Sequence, residues 1–341
     1  MVVRVWRRFK RDLALLLTQQ FWFLRPHIPN QASRVLYVYL GTPQLGDSIM
    51  DLSSRQLWST RALRVDMLTH PSISAMYQGD PAFDRVFDDR RQLRHDYDFV
   101  VLQSYSWKCL KVKWRYFFFK QFLSLHGHYF GCEFNRLEFA NDAWRAAFCM
   151  PADAAPGQPE SVFRLSLDHS EQTREPKTIA LGIGGVVPWR TYPHWAAVLH
   201  FLKIQYPEIQ WILLGTANGR DMAQEIARSF SGDEKSLNLV DALPLDHVFA
   251  RLQRVTLLLT ADGGLLHLGK AAKVPIVALF AGAIHPRMRF CESDAAHVIH
   301  ARARVSDIPA ERIACIVQQC VEQHLESLHT SYLNDEPNCS V

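Results

Sequence analysis

The 341-residue sequence lacks the cysteine pattern of a disulfide-bonded or zinc-binding protein. Its seven cysteines are an odd number, are scattered along the chain and include no C-x-x-C pair. Neither a disulfide framework nor a structural zinc site is therefore expected. This use of cysteine favours a reducing, cytoplasmic compartment.

The sequence also lacks a long apolar run and a strong charge of one sign. The apolar run Leu13–Leu17 is far shorter than the roughly 20 residues that a membrane-spanning helix needs. It is followed by Thr-Gln-Gln instead of a small-residue cleavage site, so no cleavable signal is expected. A formal net charge of +4 is too small for a dedicated nucleic-acid binder, and we expect no nucleic-acid partner.

The composition and length indicate a folded protein with two domains. Hydrophobic residues make up 48% and charged residues 21%, which is typical of globular proteins, and 341 residues exceed the usual size of one core. Short apolar runs alternate with helix-like segments, and we predict strands at 34–40, 63–68, 85–87, 98–103, 178–183, 210–214, 237–240, 256–260 and 275–280. This alternation predicts an α/β fold with two Rossmann-like, doubly wound parallel sheets.

The domain boundaries follow from where this pattern weakens. Between residues 105 and 150 aromatic and cationic residues interleave, and the proline-rich run Pro151–Pro159 then has the composition of a linker. We predict a basic leader at 1–30, a first domain at 31–160, a second domain at 161–325 and a tail at 326–341. An amphipathic helix expected at Ile308–Leu325 could cross back to the first domain.

The leader is amphipathic and basic. Its cations, which surround Trp6 and Phe9, are Arg4, Arg7, Arg8, Lys10 and Arg11. One interpretation is a helix lying on an anionic membrane surface, with its aromatic residues at the interface. The other is a helix packed on the protein with a solvated basic face, and the sequence favours neither.

A second cationic and aromatic segment, residues 108–130, also allows two interpretations. It contains five cations, Lys108, Lys111, Lys113, Arg115 and Lys120, among numerous aromatic residues. It could form an acceptor surface for an anionic glycolipid. It could equally be a buried aromatic helix whose lysines extend their amines to solvent.

The most informative motif is TADGGLLHLGKAAKVPIVALF at residues 260–280. A predicted strand ends here in a glycine pair that allows close backbone approach, and a helix begins whose free amides favour a phosphate. The candidate ligand-binding residues are Asp262, Gly263, Gly264, Leu265 and His267. In the alternative interpretation Asp262 caps a helix and His267 is a core histidine.

A glycine loop, GIGGVVPWRTYPHW at residues 182–195, follows the first strand of the second domain. Gly184 and Gly185 would allow close approach to a ligand, and Arg190 could bind diphosphate oxygens through its planar guanidinium. Arg190 could also be a simple surface cation. After the next strand, Thr216 and Asp221 are candidate nucleotide ligands, although an Asp is favourable in any first helical turn.

In the first domain the corresponding turn, GTPQLGDSIM at residues 41–50, contains Asp47. A carboxylate there could act as a general base that takes a proton from an attacking hydroxyl. An Asp in an isolated Gly-Asp pair is more often the N-cap of a helix.

These motifs resemble those of the family 9 glycosyltransferases, the lipopolysaccharide heptosyltransferases, in both spacing and order. The family pattern D-[ST]-G-x-x-H-x-A-x-A, followed by a proline-led strand, is matched by Asp262, Gly264, His267, Ala271, Pro275 and Phe280. Gly263 replaces the usual Ser or Thr, which removes one hydroxyl donor to the diphosphate. Arg190 stands where the family usually has a lysine.

The resemblance implies a GT-B fold, in which two Rossmann-like domains face each other across a cleft. It implies inverting transfer of a heptose from ADP-heptose to the lipopolysaccharide inner core, without metal or cofactor. Asp47 would be the base, and Arg190, the amides at Gly263 and Gly264, and His267 would stabilise the leaving diphosphate. The anionic inner face of the bacterial inner membrane is the expected place of action.

Two rival functions remain open at this stage. The altered glycine loops leave room for transfer of another sugar from a different nucleotide. Gly263 also favours a degenerate nucleotide-sugar-binding protein of lipopolysaccharide assembly that lacks activity. An NAD-type oxidoreductase is disfavoured, because G-x-G-x-x-G and its downstream acidic residue do not occur in register after a strand.

Overall fold

The chain was analysed as a computed structural model, which describes residues 2–41, 44–61, 63–127, 135–150, 174–229, 236–290 and 294–334. Its residues group into two compact units. Unit 1 comprises Met1–Gln172 with Lys270–Ala272 and Arg287–Glu292, and unit 2 comprises the remaining residues. The linker expected at Pro151–Pro159 lies outside the described residues.

Unit 1 contains a five-stranded parallel sheet. Its strands are β1 (Arg34–Val38), β2 (Arg64–Leu68), β3 (Arg85–Phe87), β4 (Phe99–Leu102) and β5 (Gln121–Ser124), in the order β3-β2-β1-β4-β5. Its helices are α1 (Val2–Leu17), α2 (Leu45–Asp51), α3 (Pro71–Tyr77), α4 (Trp107–Tyr116) and α5 (Arg136–Ala147).

Unit 2 is built around a six-stranded parallel sheet. Its strands are β6 (Thr178–Gly182), β7 (Gln210–Leu214), β8 (Ser236–Asn238), β9 (Leu257–Ala261), β10 (Ile276–Phe280) and β11 (Ala296–His300), in the order β11-β10-β9-β6-β7-β8. The helices are α6 (Trp195–Gln205), α7 (Arg220–Ser229), α8 (Leu245–Arg254), α9 (Gly264–Ala271) and α10 (Ala310–Asn334).

The central strands are buried on both faces, as parallel sheets require. Every residue of β6 and β10 is buried, and so is all of β1 except Arg34. At the start of two helices of unit 1, side chains satisfy free amides: Ser106 caps α4, and Asn135 accepts from two amides of α5. The predicted α/β fold with two doubly wound parallel sheets is therefore confirmed.

The sequence did not predict the outer strands β5 and β11 or the helix α5, and it offered a helix in the region of α4 only as one of two interpretations. Both strands lie at a sheet edge and have exposed or half-buried positions, so they lack the continuous apolar run of a central strand. The helices fall in the stretch where cations interleave with aromatic residues. The last helix, α10, packs on α6 and runs to Asn334, beyond the expected end at residue 325.

Lys113 on α4 is a buried cation in the core of unit 1. Its side chain has no exposed surface, and its ammonium lies over the rings of Phe122 and Phe23 at 4.9 and 5.2 Å. The Nζ donates to Gln20 Oε1 at 2.5 Å and to Phe118 O at 3.0 Å. Burial lowers the pKa of Lys113 to about 7, because desolvation penalises the charged amine. One of the two sequence interpretations had the lysines of this segment extending to solvent, and for Lys113 this is wrong.

We predict that Lys113 makes the free energy of unfolding depend on pH above neutrality. Between about pH 7 and pH 10 the unfolded chain holds a proton that folded Lys113 has lost, so stability rises with pH, by at most about 1.4 kcal/mol per unit. In Lys113→Met, urea unfolding should show a flatter rise over this range. Lys111→Met, at an exposed position of α4, should keep the wild-type slope, and equal slopes in all three proteins would contradict the prediction.

Candidate active site

The loops with the sequence motifs of unit 2 leave the sheet at its topological switch point. Strand β6 lies between β7 and β9; the chain passes from β6 to β7 and β8 on one side and returns to β9 on the other. Connections that diverge in this way open a crevice at the carboxyl edge of a parallel sheet, where such folds bind ligands. The loop after β6 and the turn after β9 flank that crevice.

The loop after β6 packs so closely on its neighbours that side chains are excluded. Gly184 has a φ of +85°, and a Cβ there would lie 2.8 Å from Asn218 Oδ1 and 3.0 Å from the backbone of Gly219. At Gly185 a Cβ would lie 2.2 Å from Thr191 Oγ1. Gly184 therefore lets the loops after β6 and β7 approach each other, and Gly185 lets the loop after β6 fold tightly against its own Thr191.

An ion pair joins the glycine loop to the turn after β9. Arg190 NH1 donates to Asp262 Oδ2 at 3.1 Å. The Asp262 side chain is 1% exposed, whereas that of Arg190 is 29% exposed. The Nε of Arg190 is buried and has no hydrogen-bond partner among the described residues. Asp262 thus anchors a guanidinium whose side chain stays partly exposed, and the exposed part can meet an anion.

The turn after β9 is open where the sequence departs from the family pattern. A Cβ on Gly263 would approach no atom closer than Ala261 O, at 3.8 Å, so the backbone has room for a side chain. Gly264 is the first residue of α9, whose free amides are oriented as an anion site requires. Leu265 is half-buried, and a Cβ built on Gly182 would lie 3.2 Å from its Cδ1.

Three of the predicted ligand-binding residues differ in their exposure to solvent. His267, in α9, is buried and only 4% exposed. Thr216 is exposed after β7, and its hydroxyl lies 2.8 Å from Asn218 Oδ1. Asp221 is exposed in the first turn of α7. Binding of the diphosphate by His267 and of the nucleotide by Thr216 and Asp221 stays a prediction.

In unit 1 the candidate base Asp47 is held by an arginine. Helix α2 begins at Leu45 with Gln44 at the N-cap, so Asp47 lies in the first turn and does not cap the helix. Arg136 NH1 on α5 donates to Asp47 Oδ1. Its Nε and NH2 donate to the two oxygens of Asp51 at 2.7 and 2.8 Å. One guanidinium therefore binds both carboxylates of α2.

Asp51 is the buried end of this network. It also accepts from Tyr39 OH at 2.9 Å and Gln103 Nε2 at 3.2 Å. Burial alone would raise the pKa of Asp51, but the charge and hydrogen bonds of Arg136 outweigh it, and the pKa is lowered. Burial lowers the pKa of His126, whose Nε2 lies 4.0 Å from Asp51 Oδ1, so this imidazole is neutral at pH 7.

Exposure distinguishes the two carboxylates. The side chain of Asp47 is 27% exposed, whereas that of Asp51 is 2% exposed. Only Asp47 of this pair can therefore reach a hydroxyl of a bound acceptor. Sequence reasoning missed Asp51 and Arg136; the available signal was the i, i+4 spacing of Asp47 and Asp51, which places two carboxylates on one helix face where a cation must compensate them.

We expected no D-x-D carboxylate pair of the kind that holds a divalent ion, but the sequence contains one such spacing, Asp96 and Asp98. The pair lies just before β4, at the amino end of that strand, whereas Asp47 follows the carboxyl end of β1. Asp98 accepts from two backbone amides and a hydroxyl, at Ser33 and Arg34, and Asp96 is paired with Arg34 and Arg94. In the described part of the chain no three His, Cys, Asp or Glu side chains are grouped as a metal site would require.

Comparison with known proteins gives one family and a group of similar folds. Residues 141–325, more than half of the chain, match the sequence profile described as glycosyltransferase family 9 (heptosyltransferase). No match was found among curated protein sequences.

Several solved structures are similar over most of the chain. A family 9 glycosyl transferase from Veillonella parvula has a TM-score of 0.68 at 13% identity, covering 88% of this chain and 100% of that one. The E. coli heptosyltransferase WaaC with ADP has a TM-score of 0.66 at 15% identity, covering 84% of this chain and 100% of that one. The E. coli ADP-heptose lipopolysaccharide heptosyltransferase II has a TM-score of 0.62 at 17% identity, covering 85% of this chain and 99% of that one. At these identities the likeness concerns the fold, and it confirms the expected GT-B class.

We predict that Arg136→Met destabilises unit 1 by about 3–5 kcal/mol at pH 7, because Asp51 is left as a buried carboxylate without its cation. The folded pKa of Asp51 lies below its ordinary value near 4, so the pair stabilises the fold above that pH and the benefit is lost in acid. Urea unfolding at pH 7 and pH 3 should show that the difference in free energy of unfolding between wild type and Arg136→Met is smaller at pH 3. Glu138→Gln, at an exposed position of α5, is the control and should change stability by less than about 0.5 kcal/mol.

The glycines allow a second comparison. Gly184→Ala combines a left-handed backbone with backbone contact at Gly219, and we expect it to lose about 1–3 kcal/mol. Gly263→Ala meets open space and should lose less than about 0.5 kcal/mol. Thermal unfolding of both variants measures the difference, and similar losses would show that the two loops are not packed as described.

Proposed function

The chain belongs to glycosyltransferase family 9, the heptosyltransferase family, and we propose that it transfers a heptose from ADP-heptose to the lipopolysaccharide inner core with inversion at the anomeric carbon. We further propose that it needs no metal or cofactor and works at the cytoplasmic face of the inner membrane. The observation that supports the donor site best is the Arg190–Asp262 ion pair. It brings together two motifs 72 residues apart at the switch point of one sheet.

Unit 2 has the groups that a nucleoside diphosphate requires. Arg190 is held by Asp262 and its side chain is partly exposed, and the free amides at the start of α9 follow Gly263. As the glycosidic C–O bond to the β-phosphate breaks, negative charge develops on the diphosphate. Cationic and amide donors fixed beforehand stabilise that charge without reorganisation. Gly184 and Gly185 let the loop that carries Arg190 pack closely on Gly219 and on Thr191.

Unit 1 provides the base. In the proposed reaction the acceptor hydroxyl gives its proton to Asp47 while its oxygen bonds to the anomeric carbon and ADP departs. Arg136 fixes the Asp47 carboxylate through Oδ1 and is itself fixed by two bonds to Asp51. A base held in one orientation is effective because proton transfer depends steeply on donor and acceptor geometry.

The test is transfer from ADP-heptose to truncated lipopolysaccharide, measured together with ADP binding by calorimetry. We expect Asp47→Asn to lower the transfer rate by about 10²–10⁴-fold and to leave ADP affinity unchanged. Arg190→Gln should weaken ADP binding by about 10–100-fold, the value of a charged hydrogen bond to phosphate. Asp96→Asn, an exposed carboxylate of unit 1, is the control, and EDTA should not change the rate.

Other outcomes would select among the rivals. Tight ADP binding without turnover on any core acceptor would favour the degenerate binding protein, for which Gly263 remains the best argument. Turnover with a hexose donor in place of ADP-heptose would keep the glycosyltransferase and replace the sugar. Transfer that survives Asp47→Asn would remove Asp47 as the base.

A further inference from the structure

One face of the leader helix is part of the unit 1 core. Leu15 is 1% exposed and packs in the cluster that contains Leu36 and Val38 of β1. Thr18, one turn later, is buried. The guanidinium of Arg11 lies 5.0 Å from the ring centre of Tyr105. Of the two interpretations offered by the sequence, packing on the protein is therefore correct for this face.

The segment after α1 is fixed to the same unit by polar contacts. Gln20 is completely buried and accepts from Lys113 Nζ, and Arg25 N donates to Phe122 O at 2.8 Å. Leu24 forms a parallel bridge with Phe122 at the edge of β5. The leader is thus held to unit 1 at both α1 and residues 20–25.

The opposite face of α1 is apolar and faces solvent. Trp6, Phe9, Leu13 and Leu17 follow each other at intervals of three or four residues, which places them on one stripe of the helix. All four are exposed, Leu17 by 74%, and the rings of Trp6 and Phe9 stack at 5.8 Å. Trp22, in the turn that follows, is 75% exposed. Exposed apolar stripes of this length mark an interaction surface.

Helix α4, which holds the leader through Lys113, has a similar exposed stripe. Trp107, Lys111 and Trp114 lie at i, i+4 and i+7, and the two indole rings are 6.4 Å apart. Lys108 and Arg115 beside them are exposed. The sequence has no Asp or Glu from residue 99 to residue 132, so no acidic residue of this segment offsets these cations.

We infer that the exposed stripes of α1 and α4, with Trp22, form a surface that binds an anionic phospholipid bilayer. Indole rings beside lysine and arginine are suited to the bilayer interface, where the rings enter the headgroup region and the cations meet lipid phosphates. In the described chain no helix combines the length and apolar character needed to cross a membrane. This inference deepens the location stated in the proposed function and assigns it to particular residues.

The experiment measures co-sedimentation of the full chain with vesicles of phosphatidylcholine containing about one third phosphatidylglycerol. The double variant Leu17→Ser, Trp22→Ser should bind about tenfold or more weakly than wild type. Lys10→Gln with Lys111→Gln should weaken binding severalfold, and wild-type binding should fall when salt is raised from about 0.1 M to about 0.5 M. Ile204→Ser is the matched control, because Ile204 is 72% exposed, close to Leu17, but lies in unit 2.

The outcomes separate this inference from the transferase proposal. Transfer to a delipidated, water-soluble core acceptor should be the same in wild type and in the Leu17→Ser, Trp22→Ser variant, so loss of vesicle binding alone supports the surface. Binding that is absent in wild type, or that falls equally in Ile204→Ser, would overturn it. Sedimentation velocity provides the remaining arm: a wild-type dimer that the double variant disperses would assign the surface to a second copy of the chain and overturn the membrane inference.

Discussion

All strands in both sheets run parallel, and this constraint positions every candidate site residue. Parallel pairing requires a crossover after each strand, so the connecting loops that matter for binding leave from one edge. In unit 2 that edge carries the glycine loop after β6 and the Asp262 turn after β9. In unit 1 it carries Asp47 after β1, beside the switch between β1 and β4. The two units therefore follow the same rule with different residues.

A buried carboxylate anchoring an arginine recurs in both units. In unit 2 the nearly inaccessible Asp262 binds Arg190, whose side chain stays partly exposed. In unit 1 the inaccessible Asp51 binds Arg136 through two bonds, and Arg136 in turn holds the more exposed Asp47. Burying a charge is costly unless its partner is fixed, so the buried partner determines where the accessible one lies. We regard this as the physical basis for orienting both Arg190, the proposed donor-binding cation, and Asp47, the proposed base.

Lys113 is a third buried charged group that fixes its partner, and here the partner belongs to the leader. An ammonium without exposed surface needs acceptors, and it takes them from Gln20 and Phe118 while its charge lies over two aromatic rings. The acceptor on Gln20 ties the leader to helix α4. A segment that sequence alone describes as a basic amphipathic extension is thereby fixed to the first sheet, with its apolar stripe directed to solvent.

Local sequence pattern is enough to predict the central strands and the family. Continuous apolar runs predict central strands such as β1 and β10, because these strands are buried on both faces, and the spacing from Asp262 to Phe280 identifies the family. Other features depend on contacts between segments that are distant in sequence. The edge strands β5 and β11 have weak patterns because one side remains accessible, and no local signal pairs Arg136 with carboxylates 85 and 89 residues away. Likewise only the packing of α1 shows which of its faces is buried, since an amphipathic helix has the same sequence whether its apolar residues meet protein or membrane.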